Sequence, residues 1–118
     1  MSASKTGTTI QGHRVAAEAA LARIPGPKGE RFAEIFKHGS LSVEVFAPRG
    51  VDNQQPHTRD KVYLVIRGSG RFVFGSEGVT FGPGDFLFVP AGVAHRFENF
   101  TEDFVVWVLF YGPEGGEK

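Results

Sequence analysis

The 118 residues contain no cysteine, which removes disulfides, thiolate metal sites and cysteine nucleophiles together. Any metal must then be held by histidine, carboxylate, amide or water. Neither sign of charge is in excess: 13 Lys and Arg against 13 Asp and Glu give a formal net charge of zero. No overall field draws such a chain to nucleic acid or to an anionic membrane. No run is long and apolar enough to span a bilayer, and the start MSASKTGTTIQGHRVAAEAALARIPGP lacks the continuous apolar stretch of a secretory signal. A soluble cytoplasmic protein is expected. The length suits one domain, one core and one site.

What is abundant is phenylalanine, with 12 Phe against one Trp and two Tyr, alongside 16 Gly and seven Pro. Aromatic and β-branched runs punctuated by turn residues favour an all-β domain. Residues 1–12, rich in Ser, Thr, Gly and Lys, read as a disordered tail. Residues 13–29 read as a helix and linker, with helix formers from Arg14 to Ile24 stopped by Pro25, Gly26 and Pro27. Strands are predicted at 31–37, 41–48, 61–68, 71–75, 79–82, 85–90, 95–99 and 104–111, most of them separated by Gly, Pro, Asn or Asp turns. Residues 112–118 read as a flexible C-terminal tail.

Two strands are apolar on both faces. Phe104, Val106, Val108 and Phe110 alternate with Val105, Trp107, Leu109 and Tyr111, and Val62, Leu64 and Ile66 alternate with Tyr63 and Val65. A small barrel needs only its inward face apolar, so the outward faces call for cover. A homodimer is expected.

The most specific segment is GDFLFVPAGVAHRFEN, residues 84–99, which sets Gly84, Pro90, Gly92, His95 and Asn99 at the spacing G-x5-P-x-G-x2-H-x3-N. Gly84 follows Pro83 in a turn that needs a positive φ, and the corner from Pro90 to Gly92 returns the chain as a strand beginning at His95. This segment resembles the second motif of the small single-domain cupins. The resemblance covers roughly residues 30–111 and implies a double-stranded β-helix, or jelly-roll barrel, with a site between its two motifs.

The first cupin motif, G-x5-H-x-H-x3,4-E-x6-G, is matched in part. Counted back from Gly68, the glutamate position falls on Lys61, the second histidine on His57 and the first on Gln55, with the leading glycine displaced to Gly50. A register that starts from His57 and sets Arg59 and Tyr63 at the other ligand positions matches less well. Shared parity of residues 55, 57, 59 and 61 points His57 and Lys61 into one space.

Intact members of the family bind a divalent transition metal through three His and one Glu. The resemblance therefore implies Zn, Fe, Mn or Ni on His57, His95 and the amide oxygen of Gln55. Against this, an ammonium about 4 Å from a divalent ion repels it by roughly 8 kcal/mol at an effective dielectric near 20. Lys61 can relieve the repulsion by turning outward or by pairing with Asp60 or with Glu44, which faces the pocket by parity and could itself ligate. Without a metal, Lys61 and Arg59 form a cationic pocket for a small anion, with His57 or His95 as general base. His57, His95 and Lys61 are the catalytic candidates. Three readings remain: a metal-dependent enzyme on a small organic acid or sugar, a metal-free ligand-binding or sensor barrel with Lys61, Arg59 and Glu44 as ligand contacts, and a scaffold that has lost its site. GSGRFVFG has no helix after it, so no nucleotide cofactor is expected.

Overall fold

The computed structural model describes residues 12–118, so the expected N-terminal tail lies almost entirely outside the described residues. Eight strands follow one helix: α1 Ala17–Leu21, β1 Phe32–His38, β2 Leu41–Phe46, β3 Asp60–Arg67, β4 Gly70–Phe74, β5 Glu77–Phe81, β6 Phe86–Val89, β7 His95–Glu98 and β8 Val105–Tyr111. They form an antiparallel five-stranded sheet, β1-β2-β8-β3-β6, and a three-stranded sheet, β5-β4-β7. Every strand expected from the sequence is present, with boundaries shifted by at most two residues. Gly84 takes a φ of 86°, the conformation its turn was expected to need.

The helix is shorter than its composition suggested. Arg14, Val15 and Ala16 stay outside it, because Ala16 stands at the N-cap in an extended conformation with no side-chain oxygen to accept an orphan N–H. Five residues cannot sustain a helix alone; packing of Ala20 against Val45, Ala47 and Val105 on the outer face of the large sheet holds it. Among the described residues, no helix is long and apolar enough to cross a membrane.

Between the sheets lies a core of Tyr63, Val65, Phe72, Phe81, Val89, Phe97, Phe104, Val106 and Val108. Phe97 is its hub, with ring centroids of Tyr63, Phe72 and Phe104 within 5.0 Å. The two-residue period of β8 divides its side chains as expected: Val106 and Val108 enter this core, while Val105 and Trp107 meet the helix. Phe86 and Phe88, by contrast, remain 63% and 44% exposed on the outside.

The C-terminal residues 112–118, expected to be a flexible tail, are docked against the start of β3. Gly115 N–H donates to the Thr58 carbonyl at 2.7 Å, Glu117 N–H donates to Asp60 Oδ2 at 2.8 Å, and Gly116 is buried. Asp60 also accepts from Ala91 N–H at 2.9 Å, and these two backbone donors hold its carboxyl below the usual aspartate range. Its carboxylate is thus engaged with the C-terminal segment and the β6–β7 corner.

The candidate functional site

Along β3 the inward positions are Lys61, Tyr63 and Val65, all buried, and along β7 they are His95 and Phe97, also buried. Both strands therefore present polar groups at one end of the barrel and hydrocarbon deeper in. The loop joining β2 to β3 closes over that end with Asp52, Gln54 and His57.

Lys61 does not swing out to the rim. It is 1% exposed, and its Nζ lies 3.0 Å from Gln54 Oε1, 2.9 Å from Tyr63 Oη and 2.8 Å from His95 Nε2. Three acceptors for three N–H groups is the full complement of an ammonium. His95 Nδ1 sits 2.9 Å from the Val93 carbonyl, which can only accept, so Nδ1 carries the proton and Nε2 turns its lone pair to Lys61. Gln54 Oε1 is 3.2 Å from the same Nε2; in that tautomer both are acceptors, converging on the ammonium instead of bonding to each other. Tyr63 Oη accepts from Lys61 and donates to Gln54 Oε1 at 2.9 Å.

The orientation of Gln54 is imposed by Asp52. This buried carboxylate accepts from Gln54 Nε2 at 2.6 Å, from Phe97 N–H at 2.9 Å and from Gln54 N–H at 3.3 Å. With the amide nitrogen held there, the amide oxygen must face Lys61.

Burial dominates the electrostatics. It lowers the Lys61 pKa to about 7, opposed by the charges of Asp52 and Glu44. It lowers His57 to about 4, assisted by the Lys61 charge and then by His95. His95 is also depressed, by burial first and by Lys61 second, and burial raises Glu44 against the pull of Lys61. Tyr63 is pushed well above the ordinary tyrosine value.

The two histidines expected to converge do so, with ring centroids 5.6 Å apart, and His57 packs edge-on to Phe110 at 5.1 Å. Lys61 and Glu44 line the same cavity of about 390 Å³. Two expectations need correction. The amide at the centre belongs to Gln54; Gln55 is exposed at the cavity wall, because β3 begins only at Asp60 and strand parity does not extend back through the loop. Arg59 is absent from the lining: its Nε donates to the Gly112 carbonyl at 3.0 Å, on the side where the C-terminal segment docks. Asp52 lies outside both motifs; its only signal in the sequence is the spacing of an Asp two residues before Gln54, which marks a side-chain-capped turn. Arg31 and Arg49, which also line the cavity, carry no motif that would have exposed them.

A divalent metal does not suit these residues. The His95 lone pair it would need is already taken by Lys61 N–H, and the ammonium occupies the space between His95 and Gln54. Among the described residues, no three His, Asp or Glu side chains are grouped to hold an ion.

Comparison with known proteins places this geometry in context. The chain is 35% identical over 85 residues to an uncharacterized protein of Streptomyces coelicolor, covering 70% of this chain and 81% of that one. It is 35% identical over 68 residues to an acireductone dioxygenase of Acidiphilium cryptum, spanning 53% of this chain but only 38% of the dioxygenase. A solved protein of Neisseria meningitidis superposes with a TM-score of 0.67 at 20% identity, over 85% of this chain and all of that one. The Cupin domain family matches residues 42–111, which include the Lys61 and His95 hairpins, and the chain belongs to that family.

Proposed function

We propose that this cupin works without a metal, binding a small organic anion in a cavity whose central cation is Lys61 in its ammonium form. The contact of 2.8 Å between Lys61 Nζ and His95 Nε2 carries this reading, because it fills with a protein cation the coordination site a metal would use. Since its three N–H groups are satisfied within the protein, Lys61 acts on a ligand through its field. A unit charge about 5 Å away contributes about 3 kcal/mol at an effective dielectric near 20. His57, neutral and half-buried in the same cavity, is the group free to take a proton from a bound ligand.

The test is metal analysis of protein purified without a chelating column, on the wild type and on Lys61→Glu. The wild type is expected to carry far less than one equivalent of transition metal, and Lys61→Glu to carry more. One equivalent in the wild type overturns the proposal.

A homodimer is also proposed. Ala33, Val45, Trp107, Leu64 and Phe86 form one apolar cross-strand row on the outer face of the large sheet, and Phe36, Val43, Leu109, Val62 and Phe88 form the next. The helix packs at the Val45 end. His13 stacks on Phe36 at the β1 edge, whereas Leu64, Phe86 and Phe88 toward β6 stay exposed, which supports a second copy as their cover.

A further inference from the structure

We propose that the ligand of this cavity is a small monocarboxylate with an apolar body, its carboxylate held at the mouth by Arg31 and Arg49. This rests on the metal-free reading of the site and adds the ligand's chemical class. Arg31 Nε donates to the Ala47 carbonyl at 2.8 Å, which fixes the side chain at the cavity wall and leaves the terminal nitrogens without a protein partner among the described residues. Arg49 lies near enough for its charge to add to burial in depressing Arg31. The ion pairs among the described residues involve Arg67 and Arg96, so neither guanidinium at the mouth has a carboxylate partner. Arg31 fixed at the wall and Arg49 beside it in the lining, neither with a counter-ion among the described residues, offer an anion two guanidinium forks, whose planar geometry matches a carboxylate.

The charge of the lining selects among anions. With Lys61 in its ammonium form, Arg31, Arg49 and Lys61 against Glu44 and Asp52 leave one positive charge, and with Lys61 neutral they leave none, so the lining suits at most a single negative charge on the ligand. A dianion would also meet the Glu44 carboxyl in the same lining. Behind the arginines the wall is hydrocarbon, from Phe32, Phe46, Val51, Val108 and Phe110, with Phe32 and Val51 49% and 67% exposed. Such a wall favours an alkyl or aryl body over a sugar or phosphate. A volume of about 390 Å³ is at the small end of ligand cavities.

The experiment is calorimetric titration near neutral pH with hexanoate, hexanol and inorganic phosphate, on the wild type, Arg31→Gln, Arg49→Gln and Lys61→Met. Hexanoate is expected to bind, and hexanol and phosphate to bind at least about tenfold more weakly. Each arginine substitution should weaken hexanoate about tenfold, the effect of losing one charge-assisted contact. The inference is overturned if hexanoate does not bind, if phosphate binds as tightly, or if the arginine variants keep wild-type affinity. Should Arg31→Gln fail to fold for want of its Ala47 bond, the exposed Arg49 decides alone. Hexanoate binding that survives in the arginine variants but is lost in Lys61→Met overturns this inference and leaves the metal-free reading standing. A stoichiometric metal in the wild type overturns that reading itself.

Discussion

Lys61 Nζ and His95 Nε2 lie 2.8 Å apart, and the contact fixes which nitrogen of His95 carries its proton. His95 keeps its proton on Nδ1 for the Val93 carbonyl and its lone pair for Lys61. Lys61 in turn has acceptors on three sides, which keep an otherwise costly buried ammonium tolerable. The contact is tertiary, joining β3 to β7, so it forms only when the two sheets close on each other.

Folding stability is expected to rise as the pH is raised from about 7 to about 10. Lys61 titrates near 7 in the folded chain against an ordinary value of 10.5, so in that window the unfolded chain binds the extra proton. Stability from a depressed pKa is present above the unfolded value and lost as pH falls through the folded one. The slope is at most about 1.4 kcal/mol per pH unit. The neutral amine keeps the network, donating to Gln54 and His95 and accepting from Tyr63. Urea unfolding across that range checks this, and Lys61→Met should flatten the dependence; an equal slope in both proteins would assign it to other groups.

His57 is expected to stay neutral down to about pH 4, and Lys61→Met should raise its pKa. Burial is the larger cause of its depression, so removal of the lysine charge restores only part of the ordinary value. An NMR titration of the imidazole resonances reads both numbers. Because the depression favours the unfolded chain in acid, stability should fall as pH drops from about 6.5 toward 4.

The strands and the meeting of His57 with His95 were legible because they depend on local signals: turn residues, alternation, and a motif whose glycines and proline fix the β6–β7 corner. The identity of the central amide was not. Strand parity places Gln55 beside Lys61, whereas the loop before Asp60 is irregular and Asp52 turns Gln54 inward instead. The direction of Lys61 was equally hidden, since a four-carbon stem reaches either the rim or the interior. Only the three acceptors, drawn from the loop, β3 and β7, select the interior. Arg31 and Arg49 line one cavity across a sequence separation that no periodicity encodes.

Asp52→Ala is expected to destabilise the fold by about 1–3 kcal/mol, because it strands the buried N–H of Phe97 and frees the Gln54 amide. Asp52→Asn keeps an acceptor for one donor and should cost less. Urea unfolding of the three proteins at one pH tests the order. Because the Asp52 charge also holds the Lys61 pKa up, Asp52→Ala should depress it further and shift the pH dependence described above, an effect that a simple loss of packing would not produce.

The outer face of the large sheet yields the last expectation. Leu64 and Phe86 are cross-strand partners, 38% and 63% exposed, and they continue the row that runs through Trp107 and Val45 to Ala33. Outward charge at either position leaves the barrel interior untouched, because Tyr63 and Leu87 on the same strands hold the opposite face. It would, however, bury an unpaired carboxylate in any interface formed there, at a cost of several kcal/mol. Leu64→Glu and Phe86→Glu are therefore expected to keep the fold and shift a dimer to monomer in light scattering coupled to size exclusion. Wild-type protein that is already monomeric at high micromolar concentration would leave this face without a second copy as its cover.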